Sequence, residues 1–330
     1  MPNSLLVWQP ANCILALCIG ETCNGQHMRS PHIQVTINLD QIRLAAEAIH
    51  RRTGVKLIAV IKADAYGLGA VPVADALASM ADEFAYFSIE EARALGRPGI
   101  VLGPPEGDPA EYRRLNVRPA ITTSAAAQRF AGLPVALNMD SGMQRFGCRP
   151  EEIDDLFKRC QVADVFTHAV TLAHARLLRT TCQGKPVPIH AAATSLLDTP
   201  EAWLDAVRPG LALYRGAVRV HTRLKHVRET TGGAGYSGFE CRHVGVILGG
   251  YSNLLSPGPV LVNGRRQRLI EAGMNTSFVS VDPTDRIGAE VILLGDSLDE
   301  AELAAHFNCR EHEILCRYTS MGARGYVTAD

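Results

Sequence analysis

Leu57-Ile58-Ala59-Val60-Ile61-Lys62-Ala63-Asp64-Ala65-Tyr66-Gly67-Leu68-Gly69 places a single lysine at the end of an apolar run and a glycine-rich turn just after it. A short apolar run bounded by turn signals reads as a buried strand, here of the parallel kind covered on both faces. A lysine at the carboxyl end of such a strand must be paired, neutralised or put to chemical use, because burying it alone is costly. In a βα barrel that end of the strand is where chemistry is done. The structural alternative is a plain ion pair with Asp64. Lys62 is therefore the residue to explain.

Working outward, short apolar runs alternate with helical patterns from residue 32 to about 216. Residues 33–37 alternate as a strand, and Asp40 is expected to cap a helix through Ala48. Strands are predicted at 57–61, 83–88, 99–102, 118–121, 135–139, 164–167, 188–191 and 206–214. Helices are predicted at 70–78, 89–94, 151–159 and 199–205. Repeated strand-then-helix order means a parallel sheet, and this many repeats favour a closed TIM-type (β/α)8 barrel over residues 32–217. After about Ala217 short strands follow one another between Gly, Pro and Asn turns. Residues 218–330 thus read as a smaller, mainly-β domain with one helix at 298–306 and a closing strand near 313–317.

Bulk properties narrow the function. The chain has 330 residues, 47% of them hydrophobic, and its 33 basic and 34 acidic side chains nearly cancel. A balanced charge gives no long-range attraction for nucleic acid or an anionic membrane, and no apolar stretch approaches the length of a membrane span. The nine cysteines show no C-x-x-C pairing or metal-type spacing, so no metal site is expected and reduced thiols in a cytoplasm are. Residues 1–31 differ in texture from the rest. They carry an apolar run without the basic residues a signal peptide needs before it. They read as an extended or mis-assigned N-terminus, with an ordered extra segment as the alternative.

Several further motifs share the order of one family. They are Asp140-Ser141-Gly142-Met143-Gln144-Arg145-Phe146-Gly147, Phe166-Thr167-His168, His190-Ala191-Ala192-Ala193-Thr194-Ser195, Val207-Arg208-Pro209-Gly210-Leu211-Ala212-Leu213-Tyr214, Gly235-Tyr236-Ser237-Gly238, Gly249-Gly250-Tyr251, Ala272-Gly273-Met274 and Ala323-Arg324-Gly325-Tyr326. With the lysine stretch, this collinear set resembles the alanine racemase family of pyridoxal-phosphate (PLP) enzymes, from about residue 33 to Tyr326.

The resemblance implies that Lys62 carries PLP through a Schiff base and serves as proton acceptor on one face of the substrate. It implies that Arg208 donates to the pyridine nitrogen, which suppresses transamination and separates racemases from barrel decarboxylases with glutamate there. Tyr236, supplied by the partner of a homodimer, would serve the opposite face, with His168 bonding to it and coupling it to Arg208. Tyr66, Ser195, the amides of Gly210 and Leu211, and Tyr326 match the phosphate cradle. Arg145 matches the arginine near the PLP phenolic oxygen and the substrate carboxylate. Met274 matches a carboxylate-reaching amide, and Tyr251 the entrance tyrosine. Taken singly, Arg208 reads as a surface arginine, His168 as a core histidine, Tyr236 as a loop tyrosine and Met274 as β-domain core.

Three positions depart from the family's commonest pattern. Asn138 stands where many members carry a carbamylated lysine that orients Arg145, so a bound anion, water or another side chain is expected to hold that arginine. Asn253 and Asn275 replace aspartates near the entrance. The leading expectation is racemisation of alanine. The alternatives are a racemase of broad or different amino-acid specificity, and a non-catalytic PLP-binding carrier.

Overall fold

The computed structural model describes residues 29–328. The expectation for residues 1–31 falls, up to Met28, outside the described residues. The chain opens with β1 (Ser30–Asn38) and a helix, Leu39–Thr53. That helix is capped by the Asn38 side chain, which accepts from the Gln41 amide; Asp40, the expected cap, lies in the first turn and pairs with Arg43 at 2.6 Å. Eight parallel strands then close a barrel: β2 (Lys56–Val60), β3 (Glu83–Tyr86), β4 (Gly99–Val101), β5 (Val117–Ile121), β6 (Pro134–Asn138), β7 (Gln161–Ala169), β8 (Ile189–Ala192) and β9 (Ala206–Val207). Pairing of Lys56 and Leu57 with Ala206 and Val207 shuts the ring.

The period-2 alternation of strands sorts these residues into two cores. One small cluster (Ile58, Val60, Ala85, Ile100, Ala120, Ala136, Phe166 and Ala206) fills the barrel. Their sequence neighbours, among them Leu57, Ala59, Val101 and Leu137, join the larger core that includes the helices. Two residues before the small cluster, the same strand faces carry Glu83, Arg118 and Asp164, tied by Arg118 Nε to Asp164 at 2.8 Å and by two bonds to Glu83 at 2.9 and 2.6 Å. Asp164 is buried and Arg118 and Glu83 are partly so; removing one partner would leave another charge uncompensated, so this polar layer is self-consistent only as a set. Two residues beyond the cluster the same faces carry Lys62, Asn138, His168 and Arg208.

The remaining strands are β10 (Val218–Arg223), β11 (His226–Glu229), β12 (His243–Leu248), β13 (Gly258–Val262), β14 (Arg265–Ala272), β15 (Thr276–Ser280), β16 (Glu290–Leu294) and β17 (Gly322–Val327). With β1 they form a nine-stranded sheet in the order β11-β12-β15-β14-β13-β16-β10-β1-β17. β1 therefore belongs to the second unit, antiparallel to β10 and parallel to β17. Its half-buried alternation suits a one-sided sheet better than a barrel interior.

Three expected elements change. The strand expected at 313–317 is a helix, Glu311–Tyr318, with Ile314, Leu315 and Tyr318 buried along one face and acidic residues in its first turn. β17 is the strand that closes the fold. The expected strand 206–214 stops at Val207, and Leu211–Tyr214 is helical. The expected helix 199–205 is a short 3-10 turn at Pro200–Ala202, where proline opens it. No helix among the described residues is long and apolar enough to cross a membrane.

Candidate active site

Just past β2 the backbone makes a left-handed turn. Ala63, Asp64, Ala65 and Tyr66 have φ of 53, 55, 52 and 58°, and Gly67 follows at 84°. Left-handed backbone costs about 1–2 kcal/mol for each non-glycine residue, so outside contacts must hold it. Glu91 Oε1 accepts from the Ala63 amide at 2.8 Å, and Oε2 accepts from Phe87 at 2.7 Å. Asp64 accepts from the Ala70 amide at 2.7 Å and from Arg324 at 2.6 Å; Arg324 also donates to Gly67 O. Tyr326 donates to Leu68 O at 2.9 Å. The strand β17 thus clamps the turn, and Asp64 is spent on Arg324. Lys62 makes no ion pair among the described residues, which removes the simple-pair explanation for it.

Lys62, Asn138, Arg145, His168 and Arg208 line one cleft at the carboxyl end of the barrel, with Phe87, Leu102, Met143 and Phe166 as its apolar wall. Burial, and then the nearby Arg145, pull the Lys62 amine below its ordinary value, against a smaller opposing pull from Glu91. The His168 ring opens to solvent on one side, yet its partial burial and the cations Arg208, Arg145 and Lys62 bring it down to about 4. It is a neutral imidazole at neutral pH. Arg208 is only 3% exposed. Its Nη1 donates to His190 O at 2.8 Å and contacts His190 Nδ1, and its Nη2 donates to Thr167 O at 2.6 Å. Its Nε makes no hydrogen bond among the described residues. Burial lowers its pKa to about 10, so the guanidinium stays charged.

Arg145 stands on a tight loop organised by Asp140, whose Oδ1 accepts from the Gly142 and Gln144 amides at 2.7 and 3.0 Å. Asn138 donates to Phe146 O in this loop, so the neutral amide anchors the backbone beside Arg145 and leaves the guanidinium without a partner among the described residues. Tyr66 lies one turn from Lys62 with its hydroxyl unbonded among the described residues, and burial pushes it up to about 12, which keeps the proton on. A Cβ on Gly210 would come 2.3 Å from that hydroxyl. The amides of Gly210 and Leu211 have no acceptor among the described residues, while Ala212 donates to Thr194 Oγ1. Ser195 is exposed in the adjoining turn, Thr194–Leu196. Free hydroxyls and amides against a side-chain-free position fit an anionic phosphate.

Tyr236, Tyr251 and Met274 do not line this cleft. They converge on the β unit around Gly273, and each is more than half exposed; for Tyr236 the figure is 84%. The Tyr236 and Ser237 amides donate to the two Glu271 oxygens at 2.7 and 2.9 Å. The Tyr251 amide donates to Gly273 O at 2.8 Å. The two departing asparagines brace the same face: Asn275 Oδ1 lies 3.0 Å from Ser252 Oγ, and Asn253 Oδ1 accepts from the Gly250 amide at 3.3 Å. No His168–Tyr236 contact forms within one chain. Sequence reasoning missed Glu91, Glu271 and His190. The first two bond backbone amides far away in sequence and leave no local signal. His190 stood inside a quoted motif, and an apolar strand carrying one histidine beside an arginine strand was a usable clue.

Comparison with known proteins agrees with this geometry. The profile described as "Alanine racemase, N-terminal domain" matches residues 37–218. A curated alanine racemase of Xylella fastidiosa is 31% identical, over 88% of this chain and 96% of its own length. The catabolic alanine racemase of Pseudomonas putida is 30% identical over 85% and 95%. Among solved structures, the biosynthetic alanine racemase of Pseudomonas aeruginosa superposes with a TM-score of 0.82 at 24% identity, covering 90% of this chain and all of that one. An alanine racemase of Bartonella henselae, solved with covalently bound pyridoxal phosphate, has a TM-score of 0.82 at 20% identity and covers 90% of this chain and 100% of its own. By its barrel, its lysine-bearing turn and these matches, the chain belongs to the alanine racemase family.

Proposed function

We propose that this protein is a PLP-dependent alanine racemase that interconverts L- and D-alanine as a homodimer with composite active sites. One observation carries the reading. An unpaired, pKa-lowered amine opens on a cleft with Arg208, while the phenol that would complete it stands exposed on the other unit of the same chain. Lys62 would hold PLP, which when bound would supply an electron sink that makes the α-proton of an amino acid removable. The Lys62 amine, once displaced by the amino group of the substrate, would take or return that proton on one face. Tyr236 of a second copy does so on the other, with His168 holding its hydroxyl, since racemisation needs acid–base groups on both sides. Arg145 pairs with the substrate carboxylate, and its free fork suits bidentate binding. The second copy's Met274 amide assists there, and its Tyr251 narrows the entrance. Arg208, whose Nε has no hydrogen bond among the described residues, would hold the pyridine nitrogen. Tyr66, Ser195 and the Gly210 and Leu211 amides take the phosphate, and Tyr326 supports them by fixing the turn that carries Tyr66.

A broader amino-acid specificity is the second reading, favoured by the asparagines at 253 and 275, which remove negative charge from the face around Tyr251. A carrier function has no use for the Glu271-braced Tyr236. The test is to purify the protein with its PLP absorbance band and incubate it with single L-amino acids in deuterated water. Alanine is expected to gain α-deuterium and D-product fastest. Retention of PLP without exchange of any amino acid overturns the catalytic reading, and faster exchange of another amino acid overturns alanine as substrate.

A further inference from the structure

Deeper in the barrel than Arg208 lies a polar chain that the reaction described above does not use. An arginine side chain only donates, so the His190 Nδ1 that Arg208 Nη1 contacts must carry a lone pair. The proton of a neutral His190 then belongs on Nε2. That atom lies 3.4 Å from Asp164 Oδ1, and both atoms are buried without an aligned hydrogen bond to any group among the described residues, so each is the only polar group placed to satisfy the other. The second Asp164 oxygen is taken by Arg118, which Glu83 grips with two further bonds. Phe166 stacks on the His190 ring at 5.5 Å between centroids and 5° between planes, fixing its orientation, and the Arg208 guanidinium lies over the same Phe166 at 5.2 Å.

We propose that Asp164 is a positioning residue whose carboxylate, fixed by Arg118 and Glu83, locks His190 in the Nε2–H tautomer and thereby holds Arg208 in its place at the cleft. The opposite tautomer would set an N–H of His190 against an N–H of Arg208, and the arginine would lose one of its acceptors. The charge states agree with this. Burial and Arg208 keep His190 neutral, whereas at Asp164 the upward push of burial is outweighed by His190 and Arg118, which leave the carboxyl below its ordinary value. Which ring nitrogen carries the proton is commonly set in this way by the group bonded to the other one. The inference deepens the functional reading above and rests on it for the role of Arg208, but the tautomer itself does not depend on bound PLP.

The test is long-range proton–nitrogen NMR on the full chain labelled with 15N-histidine, with and without PLP, His190 being assigned by its disappearance in His190→Gln. At neutral pH the expected signal is one neutral ring protonated on Nε2. A proton on Nδ1, or a doubly protonated ring, overturns the proposal without any further variant. In Asp164→Asn the single tautomer is expected to be lost, kcat to fall by about 10- to 100-fold and the alanine KM to stay within about twofold. An unchanged tautomer in that variant also overturns it. A merely structural ion pair would alter stability and leave the His190 nitrogens as they were. Absence of the PLP band in the wild-type protein counts against the functional reading alone.

Discussion

Lys62, Arg145, His168 and Arg208 sit at the mouth of a barrel whose strands fix their spacing, whereas Tyr236, Tyr251 and Met274 stand on turns of the β sheet, mostly in solvent. The barrel group is partly buried and crowded with cations; burial first, and then the neighbouring cations, depress Lys62 and His168, while Arg145 and Arg208 keep donors to spare. The β group is neutral and exposed. A free phenol has a pKa near 10 and is a poor base in water, but cations nearby favour its charged form. Each half therefore has what the other lacks. One has cations with donors to spare, and the other has an exposed phenol whose proposed role as a base calls for a cationic setting.

The sharpest break of this comparison removes the amine. Lys62→Ala is expected to abolish the PLP absorbance band and lower kcat by about 10⁴-fold or more, since covalent attachment and proton transfer fail together. Next comes Tyr236→Phe, with kcat expected to fall by about 10²- to 10⁴-fold while PLP stays bound. Deuterium exchange should then continue from one enantiomer and fail from the other. Equal loss of PLP and activity would instead mark Tyr236 as structural. Mixing the two variants joins the halves. Random reassociation leaves one intact site in half of the dimers, so about a quarter of wild-type activity should return. If nothing returns after verified subunit exchange, the two halves belong to one chain.

A subtler change acts inside the barrel half alone. Gly210→Ala places a methyl where Tyr66 Oη now lies, at 2.3 Å. The tyrosine must move, and PLP affinity is expected to weaken by roughly tenfold, read by equilibrium dialysis, with kcat at saturating PLP little altered. Unaltered affinity would take Tyr66 out of the phosphate cradle.

The two halves also differed in how far they could be read beforehand. Barrel strands are largely apolar runs, and their registers put Lys62, His168 and Arg208 on the same inward alternation as Val60, Phe166 and Ala206. Of the three, only Lys62 stood out from its strand alone; His168 and Arg208 were picked out by the resemblance to the family. The short run at 313–317 was ambiguous because three apolar residues fit either period, and only burial of Ile314, Leu315 and Tyr318 along one face decides for a helix. β1 was mis-sited because sequence order suggested the barrel, while its actual partners lie about 180 and 290 residues away. The left-handed turn was foreseen only as a turn. Its hand is imposed by Glu91, Arg324 and Tyr326, which are remote in sequence. The anchoring role of Asn138 was not foreseen for a similar reason, since its partner is a backbone carbonyl that composition does not advertise.

The smallest expected effect probes how the exposed half keeps its shape. Bonds from the Ser237 side chain and the Tyr236 and Ser237 amides lower the Glu271 pKa below its ordinary value. A depressed carboxylate stabilises the turn at pH above the unfolded value, about 4.3, and loses that contribution only as pH falls through the lower folded value. Through the neutral range the brace is therefore fully present and does not vary. Glu271→Gln keeps one acceptor oxygen and replaces the other by an NH₂ group, which confronts one of the two backbone donors. Because the site is open to water the loss is modest, and kcat/KM for alanine is expected to drop by about three- to tenfold. The wild-type-to-variant ratio should be flat across neutral pH, with faster hydrogen exchange at the Tyr236 and Ser237 amides. A ratio that instead rises steeply with pH would mean that Glu271 acts on a proton near the cleft and does more than hold a turn, and the contrast between a rigid charged half and a braced neutral one would fail.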